Sequence, residues 1–135
     1  MTTATGERGQ TIVWVAVFLP ALLVVLGLVV DGGLALNARR DLQNVADRAA
    51  RAGAMQIDEV AYKQDGTVRL DPTRASVAAD SYAVGEAVSA VSVKAGVDEL
   101  RVTVQRNYPT AFLRLFGVRA VSMSATGLAR ARPGH

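Results

Sequence analysis

The hydrophobic residues of this chain follow three patterns, and each pattern predicts a different kind of element. Residues 11–30 form an apolar run of twenty residues without an ionisable side chain. From residue 34 to about residue 56, apolar positions recur with a helical period, and polar side chains take the opposite face. Two later stretches, 90–94 and 100–106, read as strands, the second with clear apolar and polar alternation.

The apolar run 11–30 predicts a transmembrane helix. At about 1.5 Å per residue it spans about 30 Å, the thickness of the hydrocarbon core of a bilayer. A buried helix of a soluble protein is disfavoured because the rest of the chain is too short to wrap it. Removal as a signal peptide is disfavoured because the run is long and lacks a good cleavage site after it. Asp31 ends the run, and we expect it to be an interfacial residue without a buried role.

A second helical segment, residues 31–58, is predicted to continue the span beyond the bilayer. Its apolar face is mostly alanine and glycine, so another backbone can approach it closely. Two occupants are compatible with this face: the chain's own distal domain, or copies and relatives of this protein. A component of an assembly needs the face free, whereas a tethered binding module leaves it buried against its own domain. We predict a helix-packing interface here, hereafter the small-residue stripe: Ala35, Ala38, Leu42, Val45, Ala46, Ala49 and Gly53.

The remaining residues predict a small α+β domain, and a short segment, residues 1–10, precedes the span. The domain covers residues 59–128, and residues 129–135 are expected to form a flexible tail. Asp71-Pro72 is typical of a helix start and predicts a helix to about residue 87. An antiparallel sheet of about three strands follows, predicted at 90–94, 100–106 and 118–126. The predicted fold class is thus a long N-terminal helix with a small α+β domain.

The connection between the last two predicted strands carries the bulkiest apolar group outside the span. Thr110 is expected to cap a short helix there, and Gly117 is expected to end it. We expect the apolar side chains of this helix to cover the core of the sheet. These residues are Phe112, Leu113, Leu115 and Phe116.

Composition and charge exclude several functions. The chain has no cysteine, and its one histidine is the terminal His135, so neither a disulfide framework nor a metal site is predicted. The net charge of +3 is scattered among acidic residues without a basic stripe, which argues against nucleic-acid binding. No catalytic constellation or phosphate-binding loop is present in the sequence. We therefore expect a protein that is not an enzyme and that uses no cofactor and no small-molecule substrate.

Two stretches of the sequence match the pattern of one family. The N-terminal stretch comprises Arg8-Gly9-Gln10, the span, Asp31-Gly32-Gly33-Leu34 and residues 38–47; the C-terminal stretch comprises 102–104, 109–112, 116–118 and 121–126. Both resemble the TadE/TadG-like pilus-assembly proteins, which are pilin-like components of tight-adherence (Flp) pilus systems. The resemblance implies a pilin-like fold and a structural or assembly role in a Tad/Flp-type pilus or related secretion apparatus. It implies as partners the lipid bilayer, other pilin-like or Tad assembly proteins, and further copies of the chain.

The resemblance also implies an orientation, with the N-terminus inside the cytoplasm and the C-terminal domain outside. The charges next to the span would favour the opposite, because Arg39, Arg40 and Arg48 outnumber Arg8. That rule weakens for translocated segments longer than about 60 residues, so we follow the family. The protein is then expected in the cytoplasmic membrane, as a resident assembly factor or as a subunit of a surface pilus. The alternative function is a membrane-tethered extracytoplasmic binding module unrelated to pili.

A processing site is implied by the same resemblance. A prepilin peptidase would cleave between Gly9 and Gln10, which would leave Gln10 as the first mature residue. Substrates of this peptidase typically carry a glutamate at the fifth mature position, where this chain has Trp14. We therefore predict inefficient cleavage or none.

Overall fold

The apolar run and the amphipathic segment are parts of one continuous helix, α1 (Thr5–Ala54). The computed structural model describes residues 5–131, with side chains from residue 9 onward. At about 1.5 Å per residue, a helix of 50 residues is about 75 Å long, which exceeds the thickness of a bilayer core. The helix runs through Pro20 and ends at Ala54, short of the predicted boundary at residue 58.

Two shorter helices follow, and an aspartate starts each of them. The first, α2 (Glu59–Asp65), was not predicted; the carboxylate of Asp58 accepts two of its backbone N–H groups, and Gly66 ends it with φ 68°. The second, α3 (Pro72–Gly85), starts where Asp71-Pro72 predicts, and Asp71 again accepts two N–H groups, both at 3.1 Å. Satisfying these free donors is what stabilises a helix start.

The three predicted strands form one antiparallel sheet in the order β1-β2-β3. Their bounds are β1 (Ala90–Ala95), β2 (Glu99–Pro109) and β3 (Ala120–Arg130). The α+β fold class is therefore confirmed. β3 continues past residue 129, where the tail was predicted to begin, and residues 132–135 of that tail lie outside the described part of the chain.

Helices α1 and α3 pack side by side on one face of the sheet, with α1 over β2 and β3 and α3 over β1. The opposite face is polar; there the hydroxyls of Thr103 and Thr126 are hydrogen-bonded at 3.0 Å. The helices contribute mainly alanine to the core, and β2 contributes larger aliphatic residues that fill the remaining space. The main core residues are Leu42, Ala46, Ala49, Ala50 and Ala54 from α1, Ala75, Ala79 and Ala83 from α3, and Leu100, Val102 and Val104 from β2.

The long strand β2 runs antiparallel to α1, back toward the apolar half of the helix. Each contact along the strand therefore lies closer to the predicted span than the one before it. The connection between β2 and β3, residues 110–119, hereafter the sheet tip, reaches α1 where the span ends. In order, the contacts join Leu100 to Gly53, Arg106 to Asp41, Tyr108 to Ala38 and Phe112 to Gly27.

Candidate interaction surfaces along the long helix

The small-residue stripe is covered by the chain's own domain over most of its length. Ala35 and Ala38, at the end nearer the span, are only partly buried. The other five positions are buried: Leu42, Val45, Ala46, Ala49 and Gly53. Of the two occupants that the sequence left open, the one present at residues 42–53 is the distal domain itself.

Two glycines show how closely α1 is packed. A Cβ added at Gly127 of β3 would lie 2.2 Å from the carbonyl oxygen of Ala46, and one added at Gly53 would lie 2.6 Å from the carbonyl oxygen of Ala75. Ordinary contacts of a Cβ start at 3.4 Å, so neither position accepts a side chain without a backbone shift. The stripe is small because the backbone of α1 lies directly on β3 and on α3.

Arg106 links the sheet to both helices, a role that was not predicted from the sequence. Its guanidinium donates hydrogen bonds to Asp41 at 3.2 Å, to the hydroxyl of Tyr108 at 3.2 Å, and to the carbonyl of Glu86. The Tyr108 hydroxyl in turn donates to the carbonyl of Ala38 at 3.1 Å. Because the Asp41 side chain is 62% exposed, water screens the ion pair, and the multiple donors of Arg106 matter more than its charge. An arginine at the end of an alternating strand carries no sequence signal for this role.

Asp31 lies at the junction of the span and the domain, and the expectation that it has no buried role is wrong. Only 7% of the residue is exposed, and its carboxylate accepts the N–H groups of Ala111, Phe112 and Leu113 at 2.8–3.2 Å. Three charge-assisted hydrogen bonds offset the loss of water around a buried carboxylate. Asp31 therefore fixes the sheet tip to α1. Within the described residues, no cluster of His, Asp and Glu side chains is arranged to hold a metal ion.

The apolar side chains of the sheet tip do not cover the core of the sheet, so that prediction is wrong. Phe112 lies against Gly27, inside the predicted span: a Cβ added at Gly27 would be 2.8 Å from its ring. Leu115 and Phe116 are 81% and 70% exposed, and only Leu113 is half-buried. The physical reason is the length of β2, which carries the tip past the end of the core.

The turn inside the sheet tip also differs from the prediction at its start. A single 3-10 turn, Leu113–Phe116, follows Phe112, which makes no side-chain cap. Thr110, predicted as the cap, instead donates its hydroxyl to the carbonyl of Val118. Gly117 ends the turn with φ 89°, as its position in the sequence predicts.

The first half of α1 is bare, which means that the rest of the protein covers almost none of it. Residues 11–26 and 28–30 are exposed, although nearly all of them are apolar. Among the described residues, α1 is the one helix that is long and apolar enough to cross a membrane. A large contiguous apolar surface needs a partner or a membrane to cover it. These properties are those of a single-pass membrane protein with an N-terminal anchor.

A comparison with protein families finds a match on this helix. Residues 9–56 match the Tad family model, described as putative Flp pilus-assembly TadE/G-like. The resemblance is confirmed over this segment, and the match supports a pilus-related role. The C-terminal stretch, within residues 102–126, lies outside the matched range, so its resemblance stays a prediction. No curated protein and no solved structure matches the chain significantly.

The TadE/G-like segment coincides almost entirely with α1, since it begins at residue 9 and the helix ends at Ala54. It therefore contains the bare span, the acid that holds the sheet tip, and the whole small-residue stripe. The matched family is described as a pilus-assembly family. The helix thus carries both the family resemblance and the surface on which the domain packs.

The candidate processing site lies at the start of the TadE/G-like segment. Gly9 and Gln10 are helical and exposed, and a Cβ added at Gly9 would meet nothing within 4 Å. Trp14, at the position where a glutamate is typical, packs on Phe18 with ring centroids 5.6 Å apart. The prediction that cleavage after Gly9 is inefficient or absent rests on this tryptophan and stays a prediction.

Proposed function

We propose that this chain is a pilin-like structural or assembly component of a Tad/Flp-type pilus or a related secretion apparatus. Its span anchors it in the cytoplasmic membrane, with the N-terminus inside and the α+β domain outside. The observation that carries the proposal is the TadE/G-like match on a helix that is bare in its first half and packed by its domain in its second half.

The bare half of α1 is the surface through which we expect the chain to meet other pilus proteins. The stripe at residues 42–53 is already occupied, and a partner could reach it only if the domain moved away. Within a membrane, helices associate by close packing rather than by the hydrophobic effect, so an exposed span can exchange lipid contacts for helix contacts. Other pilin-like or Tad assembly proteins and further copies of this chain are the proposed partners. A filament subunit and a resident assembly factor would use the same surface.

One observation favours a second function, a membrane-tethered binding module for an extracytoplasmic ligand or envelope protein. Such a module leaves the small-residue stripe buried against its own domain, and residues 42–53 are buried in that way. The pilus proposal is nevertheless preferred, because the family match covers α1 itself and because the span remains free for partners.

Photo-crosslinking in native membranes separates the two functions. A photoreactive amino acid is placed at Leu22 in the span or at Leu128 on the outer face of the sheet, two leucines that are both 56% exposed. The pilus proposal predicts adducts from Leu22 with pilin-like proteins, Tad assembly proteins or a second copy, identified by mass spectrometry. Adducts confined to Leu128 and formed with an unrelated envelope protein would instead support the tethered module.

A further inference from the structure

The sheet tip is firmly attached to α1, yet it leaves the side chains of Leu115 and Phe116 mostly exposed. The ring of Phe112 lies on Gly27, three residues before the end of the apolar run at residue 30. At about 1.5 Å per residue, that contact lies roughly 4–5 Å inside the span. Leu115 and Phe116 extend from the same short loop and are mostly exposed. A bilayer that covers the span up to residue 30 would therefore also meet the tip.

The backbone of the tip is suited to an environment with little water. An unpaired N–H group is costly in lipid, so polar backbone at membrane depth has to be hydrogen-bonded within the protein. Seven N–H groups of the tip have such partners: those of Ala111, Phe112 and Leu113 donate to Asp31, and those of Thr110, Leu115, Gly117 and Val118 donate to carbonyls of the tip. Most of the backbone N–H groups of the tip are therefore hydrogen-bonded within the protein, as a position close to lipid requires.

The charge of the tip fits the surface of a bilayer. Residues 110–119 contain two arginines, Arg114 and Arg119, and no acidic residue. Arginine next to buried aromatic and aliphatic side chains is typical of segments that lie in the membrane interface, where the charged group reaches the phosphates. Segments of this kind bury their apolar face about 5–10 Å into the boundary between headgroups and acyl chains, a range that begins at the depth of the Gly27 contact.

We propose that the sheet tip is a second membrane contact, which inserts Phe112, Leu115 and Phe116 into the lipid interface beside the span. Lipid is the occupant of this apolar surface, because the surface continues directly into the part of α1 that the bilayer covers. Two attachments, the span and the tip, then fix the domain at one height and one tilt above the membrane. The inference rests on the proposed membrane anchoring of α1, but it does not depend on which pilus proteins are the partners.

The test uses a fluorescent label whose emission depends on polarity, attached to single cysteines in the full-length chain. The natural chain has no cysteine, so each variant carries one label only. The probe position is Phe116→Cys in the tip, which is 70% exposed. The matched control is Val97→Cys, which is 68% exposed and lies in the β1–β2 turn at the opposite end of the sheet. The host is a nanodisc of phosphatidylcholine and phosphatidylglycerol that holds one chain.

We expect the Phe116 label to emit at shorter wavelength than the Val97 label, and nitroxide-bearing lipids to quench it several-fold more strongly. Equal emission and equal quenching at the two positions would overturn the proposal. If the label at Phe116 became shielded only in vesicles with several chains, a second copy rather than lipid would cover the tip, and the proposal would also be overturned. Leu115→Cys repeats the measurement at a second exposed position, in case the ring of Phe116 is needed for the fold of the tip.

A label at Leu22→Cys in the span distinguishes failure of this inference from failure of the anchoring. If lipid quenches Leu22 but not Phe116, the anchor is correct and the tip proposal is wrong. If lipid quenches neither position, the membrane anchoring itself is wrong, and the tip proposal is refuted together with it.

Discussion

A single added methyl group tests how α1 is packed on the sheet. In Gly127→Ala, the new Cβ would lie 2.2 Å from the carbonyl oxygen of Ala46 and 2.7 Å from the amide nitrogen of Asp47, both in helix α1. Ordinary contact requires at least 3.4 Å, so the helix and the strand have to move apart by about 1 Å. Backbone atoms cannot turn aside as a flexible side chain does, and overpacking of this kind typically costs about 1–3 kcal/mol. We expect a loss near the upper end, because the shift loosens the alanine contacts on both sides of Ala46.

Thermal unfolding of the full-length protein in detergent micelles measures this loss by circular dichroism, while the micelle-bound span contributes a constant signal. For a domain of this size, a destabilisation of about 3 kcal/mol lowers Tm by roughly 12–24 °C. The control is Gly33→Ala in α1, where an added Cβ meets nothing within 4 Å. Removal of a helical glycine there should be neutral or slightly stabilising. If Gly127→Ala unfolded at the same temperature as the natural chain, α1 would not lie on β3, and the assignment of the stripe to the domain would be refuted.

Three further measurements test the junction, the processing and the orientation. Asp31→Ala removes the acceptor of three N–H groups, so we expect the free energy of unfolding to fall by about 1–3 kcal/mol and hydrogen exchange at residues 111–113 to become faster. Unchanged exchange at these residues would show that Asp31 does not fix the sheet tip. Intact mass of the membrane-extracted protein should show that cleavage after Gly9 is inefficient or absent, because of Trp14, and a mature chain that begins cleanly at Gln10 would refute this. A reporter that is active only outside the cytoplasm, fused after His135, should be active, whereas activity of a cytoplasm-only reporter there would reverse the orientation.

Much of the fold could be predicted from the sequence because its periods are regular. The span, the helical continuation and the three strands follow from runs of residues whose spacing matches one element only. Asp71-Pro72 and Gly117 mark the start and the end of their elements, as they do in the structure. Helix α2 was missed because its seven residues are too few for a period to appear, although Asp58 and Gly66 cap it.

The occupants of the surfaces could not be predicted in the same way. A row of alanine and glycine allows close approach of any backbone, and only the positions of β3 and α3 show which backbone fills it. The same limit applies to the sheet tip, where Leu115 and Phe116 have the composition of core residues but lie beyond the end of the core. The prediction for Asp31 was wrong because its partners are backbone N–H groups some 80 residues later in the chain. A sequence does not show which backbone groups a side chain will contact.

A role in a Tad/Flp-type pilus is tested by counting surface pili in cells that lack this chain. We expect that pili are lost or greatly reduced and that the natural chain, supplied in trans, restores them. The TadE/G-like helix should be required for this rescue, so a chain whose span is replaced by an unrelated transmembrane helix should reach the membrane but fail to restore pili. Normal numbers of pili in the absence of the chain would show that the chain has no such role.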